Sequence, residues 1–181
     1  MNQLLVKLES TLEPLFKSLP EISPRGREKL VRFWPTLALV FGVLQLLAGM
    51  ALWRLGHRTN EFVDYANQLS QVYGTQRIHH LSFFYWLGLV TIFVDAIILL
   101  VAVSPLKQHA KRGWDLLFMA TTINLVYGVV ITFDDSYGGA GRLVSSLVGS
   151  AIAYYLLFQT KPLYEARKTA ATPRRAAAKK H

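Results

Sequence analysis

Four long apolar runs set the pattern of this chain, at 35–53, 81–103, 114–133 and 143–160. At about 1.5 Å per residue, each has the length of a helix that crosses a hydrocarbon core of roughly 30 Å, the fourth being the shortest. The most continuous is 81–103, LSFFYWLGLVTIFVDAIILLVAV, with one acid, Asp95, near its middle. The pattern predicts an all-α fold, a four-helix transmembrane bundle. Trp34 and Trp53 flank the first run, and Phe83-Phe84-Tyr85-Trp86 opens the second, as interfacial aromatics do. Pro35 suits a first helical position, where its missing N–H is no loss. Ser104-Pro105 and Lys161-Pro162 are read as the ends of the second and fourth spans.

Two weaker stretches repeat every 3.6 residues without being apolar enough to span. In 1–19, Leu4, Leu5, Leu8, Leu12, Leu15, Phe16 and Leu19 share an arc of about 120°. This predicts an N-terminal amphipathic helix, kinked or split at Pro14. It would lie on the membrane surface, on its own bundle or on a partner. In 60–73, Phe62, Tyr65, Ala66, Leu69, Val72 and Tyr73 share a similar arc of about 120°. A short surface helix is therefore expected in the first outer loop, capped by Thr59 or Asn60 and ended by Gly74. The chain then divides into 1–34, a cytoplasmic amphipathic helix and basic linker; 35–160, the four-span domain; and 161–181, a basic tail predicted to be disordered from its composition.

Charge adds direction to this plan. The net charge is +9, yet only 17 % of residues are charged and 52 % are hydrophobic. Sixteen of the 20 Lys and Arg residues fall before the first run, between the second and third, or after the fourth; only Arg54, Arg58, Arg77 and Arg142 fall on the other side. The positive-inside rule then places both termini in the cytoplasm. Orientation and headgroup attraction account for the basic excess, which argues against a nucleic-acid partner. The first residues lack a basic n-region ahead of an apolar core, so targeting is expected to come from the first span. With no cysteine there is no disulfide, thiol nucleophile or cysteine–zinc site.

Inside the spans, polar groups are few. Gln45, Asp95, Thr121 and Asn124 form the expected intramembrane cluster, either structural or a relay. Gly42, Gly49, Gly88, Gly128, Ser145 and Gly149 are the expected helix-packing residues, since small side chains let backbones approach. An acid at the centre of a spanning helix costs roughly 2.5–3.5 kcal/mol. With no Lys, Arg or His inside a span, Asp95 is expected to be neutral, to bond Gln45, Asn124 or Thr121, or to pair with another subunit. At an offset of 50 residues, Leu37, Leu39 and Val40 align with Leu87, Leu89 and Val90, and Gln45 with Asp95, a faint inverted repeat. His57, His79 and His80 lack a carboxylate spaced to complete a metal site, and Asp134-Asp135 reads as solvated helix-end charge. No phosphate-cradling loop, HExxH or nucleophile elbow occurs, so no catalytic, cofactor or metal residue is assigned and no cofactor is expected.

FWPTLALVFGVLQLLAG, KRGWDLLF, INLVYG and GSAIAYYLLFQTKPLY resemble uncharacterised small multi-pass membrane proteins of bacteria. The resemblance covers the four spans and not the termini. It implies the bacterial cytoplasmic membrane and brings no activity, cofactor or site residue. The expected role is a non-enzymatic accessory or interaction subunit, with the lipid bilayer and itself or another membrane protein as partners. The alternative is a small oligomeric transporter or channel using Asp95.

Overall fold

The computed structural model describes residues 3–73, 79, 81–133 and 140–177. These form five α-helices and one 3-10 turn, with no strand among the described residues. α1 is Gln3–Lys17, α2 Pro24–Tyr73, α3 Phe83–Lys107, α4 Lys111–Val130 and α5 Ala140–Ala177; the 3-10 turn, Ile131–Phe133, closes α4. Four of the helices are long and apolar enough to cross a membrane.

Contacts between α2 and α3 fix an antiparallel register. Gly42 meets Leu100, Gly49 meets Phe93, and Gly56 meets Tyr85 and Trp86, while the Asn60 side chain accepts from the Leu81 N–H at 3.2 Å. α3 and α4 are antiparallel through Gly88–Tyr127 and Leu106–Gly113. α4 and α5 follow through Gly128–Ser146 and Thr122–Tyr154. α5 returns only lightly to α2, and the segment before α2 bonds Gln159 and Tyr155 of α5. The four helices therefore form a row whose first and last members converge at the end where α1 lies.

The core is concentrated at that end. Trp114 is completely buried. Its indole N–H donates to the Leu157 carbonyl at 2.7 Å, and its ring stacks on Phe118 with centroids 5.3 Å apart. Phe158 and Tyr154 continue the cluster. The apolar face of α1, with Leu5, Leu8, Leu12 and Phe16, packs against this cluster, and Phe16 stacks on Phe158 at 5.4 Å. α1 thus lies on its own bundle. Elsewhere the apolar helices are bare: Leu39, Val40, Val43, Leu44 and Leu47 of α2 and Val144, Leu147, Val148 and Ile152 of α5 are exposed.

Helix ends differ most from the sequence-based expectation. α2 is one helix of 50 residues, about 75 Å long, and not a span followed by a loop with a separate surface helix. Thr59 does not cap a new start; its hydroxyl donates to Leu55 one turn back, and Asn60 is engaged with α3. The start of α2 is Ser23-Pro24: the Gly26 N–H bonds the Ser23 hydroxyl, and Pro24, not Pro35, takes the first helical position. The basic stretch before the first run is therefore largely helical. Pro14, Pro35, Pro105 and Pro162 all sit inside helices. α5 runs on to Ala177 where a disordered tail was expected, consistent with the helix propensity of its Ala, Arg and Lys residues. α3 ends at Lys107 with Gln108 as its cap; the next residue, His109, is in the left-handed region at φ 52°, and its N–H closes on the Leu106 carbonyl. Gly74, Arg77, His80 and Asp134-Asp135 lie outside the described residues.

Candidate functional site

The predicted intramembrane cluster gathers in one place. Gln45 of α2 donates its amide to Asp95 Oδ2 of α3 at 2.8 Å. This follows from the register, which sets the middles of the two antiparallel helices side by side. Asp95 is 2 % exposed. Its Oδ1 and the Gln45 Oε1 are buried without a hydrogen-bond partner. Both residues line a cavity of about 190 Å³, together with Thr121 and Asn124 of α4. The cavity reaches from Trp34 to Gln45 along α2 and is closed on other sides by α3, α4 and α5. Eleven residues separate Trp34 from Gln45, so it runs about 16 Å along the helix axis.

Thr121 is close without being engaged as expected, whereas the Asn124 side chain also reaches the Asp95 carboxyl. The Thr121 hydroxyl donates to Leu117 of its own helix, and the Asn124 amide donates to Ala120. Polar side chains in apolar helices commonly take this intrahelical bond. No Lys, Arg or His lines the cavity.

The packing residues divide into two groups. Gly42, Gly49, Gly88 and Gly128 are buried at helix contacts where a Cβ would press on a neighbour, at Gly128 against Ser146. Ser145 and Gly149 face outward. The Ser145 hydroxyl bonds the Gly141 carbonyl, and a Cβ on Gly149 would meet nothing. On α5 the contact with Gly128 is made by Ser146. His57 packs edge-on against Trp53 and Trp86, His79 is exposed, and among the described residues no group of three metal-ligating side chains assembles.

A second polar cluster escaped the sequence reading. Lys161 of α5, 9 % exposed, lies 2.9 Å from Glu9 and 2.6 Å from Glu13 of α1. Lys111 of α4 lies 3.3 Å from Glu9 and 2.9 Å from Asp115. Both ammonium groups also stand over the Trp114 ring, Lys111 at 4.9 Å. Glu9 is itself buried. The Lys161 and Lys17 ammonium groups hold the Glu13 carboxyl below its usual range. The cluster pins α1 across the ends of α4 and α5. Its one sequence signal was Glu9 and Glu13, one turn apart beside the apolar stripe of α1.

Compared with protein-family models, with curated proteins and with solved structures, the chain matches none of them.

Proposed function

We infer that this is a multi-pass integral membrane protein with four spans and both termini on the cytoplasmic side. It carries out no covalent chemistry in this reading and acts through contacts with lipid or with another membrane protein. The observation that carries it is the bare apolar surface of the four long helices. In the most apolar window of α2 only 17 % of residues are buried, and in the other three about a third or fewer. So large a continuous apolar surface requires lipid or protein to cover it. The lopsided Lys and Arg distribution supports the orientation.

The test joins alkaline carbonate extraction to topology reporters fused at both ends, followed by purification from native membranes in mild detergent. Retention in the membrane, cytoplasmic reporters at both ends and a stoichiometric membrane-protein partner or bound lipid are the expected results. Extraction into the soluble fraction refutes the membrane reading. A lone, lipid-free monomer refutes the interaction role.

A second reading, a small oligomeric transporter or channel, is favoured by one observation: Gln45, Asp95, Thr121 and Asn124 all line a single cavity between the spans. Flux that disappears in Asp95→Asn, with assembly intact, supports it; absence of flux from the unaltered protein rejects it.

A further inference from the structure

We propose that the cavity between α2, α3, α4 and α5 is a binding site for a lipophilic monocation, an amine with a short hydrocarbon chain. The proposal rests on the four-span reading but not on transport.

The argument starts from what the cavity lacks. At its polar end the two atoms without partners, Asp95 Oδ1 and Gln45 Oε1, are both oxygens. One Gln45 N–H is given to Asp95 Oδ2, the Thr121 hydroxyl goes to a carbonyl of α4, and the Asn124 amide divides between Ala120 and the Asp95 carboxyl. An occupant of this end that brings hydrogen-bond donors therefore meets acceptors still open to it. Unpartnered buried acceptors are costly, the more so for a charged group, so filling them favours the occupant.

Charge narrows the class further. Asp95 is deeply buried, and no cationic side chain lines the cavity. A carboxyl in an apolar surrounding is neutralised either by a proton or by a counter-charge. An ammonium group supplies both the positive charge and up to three N–H donors. Phe41, one turn from Gln45 on α2, lines the same space, and aromatic rings attract cations.

Volume and lining set the rest of the ligand. A cavity of about 190 Å³ would hold about six waters at roughly 30 Å³ each. Beyond the polar end, however, Leu37, Leu99, Leu117 and Leu157 offer water no partner. A hydrocarbon chain fits these side chains, and the bare outer parts of α2 and α5 leave a lipid-side approach.

The experiment uses the full chain in nanodiscs with radiolabelled n-octylammonium as the probe, read by scintillation proximity against empty nanodiscs. Saturable binding is expected, displaced by unlabelled octylammonium and not by octan-1-ol, its neutral counterpart. Asp95→Asn, which keeps a partner for Gln45, should weaken binding at least tenfold. Ala153→Leu, which fills the cavity from α5 without touching the acid, should abolish it. Equal displacement by octan-1-ol, no saturable binding to the unaltered protein, or full binding to both variants overturns the proposal; the acid is then a neutral structural partner of Gln45. Should Asp95→Asn fail to fold, the octylammonium–octanol comparison on the unaltered chain and Ala153→Leu still decide. Carbonate extraction of the same membranes separates this failure from failure of the membrane reading.

Discussion

Replacing Lys161 with Met isolates the force that holds α1. Met keeps an unbranched apolar stem in the same space and deletes the ammonium group. The substitution removes contacts at 2.9 Å to Glu9 and 2.6 Å to Glu13. Breaking a buried ion pair so that a charge is stranded costs about 3–5 kcal/mol. Here neither acid is left alone: Glu9 keeps Lys111 at 3.3 Å, and Glu13 keeps the exposed Lys17 at 2.9 Å. The expected loss is accordingly about 2 kcal/mol, or roughly a 30-fold rise in the population with α1 detached. Hydrogen–deuterium exchange of the full chain in nanodiscs reads this directly. The amides of α1 should exchange about 30-fold faster, while those of α3 and the middle of α4 stay as they are. Unchanged α1 exchange in a folded variant refutes the clamp and leaves its apolar face as the sole anchor. A uniform rise across all helices refutes it too, because the lysine then stabilises the whole bundle.

Acid should loosen the same contact. The Glu13 carboxyl is held below its ordinary value of 4.5 by Lys161 and Lys17, so its contribution is complete above that value and fades as pH falls through the depressed one; α1 exchange, corrected for intrinsic rate, should rise only below about pH 4.5. Gly128→Ala should destabilise the α4–α5 contact by about 1–3 kcal/mol, because its Cβ would overlap Ser146. Gly149→Ala, facing open space, should leave the detergent melting temperature within error, and an equal effect of the two would remove the distinction between these glycines. Trp114→Phe should lose about 1–3 kcal/mol, through the lost indole bond to the Leu157 carbonyl, which keeps the Thr160 hydroxyl, and the space left in the core. A thermal melt matching the unaltered protein would show that water replaces the indole.

The four long apolar helices were legible because apolar runs of this length have few other uses. Their ends were not. Pro14, Pro35, Pro105 and Pro162 were each read as boundaries or breaks, and each lies within a helix. A proline removes one backbone bond and bends the axis; in a long helix braced by neighbours that loss does not outweigh the remaining turns. The Gln45–Asp95 pair was legible because antiparallel neighbours of similar length bring their centres together. The bonding of Thr121 was not, since a carbonyl on its own helix competes on equal terms with a partner across the bundle. Glu9 and Lys161 stand far apart in the chain and share no local pattern, so only the fold could bring them together.

That separation has a temporal consequence. The ion pair from Glu13 to Lys161 joins residues 148 positions apart; Lys111 reaches Glu9 from α4, but the Phe158 ring on which Phe16 stacks comes only with α5. At about 5–20 residues per second, α1 emerges roughly 7–30 s before its anchor is synthesised. Through that interval the stripe of Leu5, Leu8, Leu12 and Phe16 must rest elsewhere, and the adjacent bilayer surface is the nearest apolar shelter. The membrane surface, one of the three positions open to the stripe when the sequence is read alone, is thus the posture expected until the fifth helix arrives.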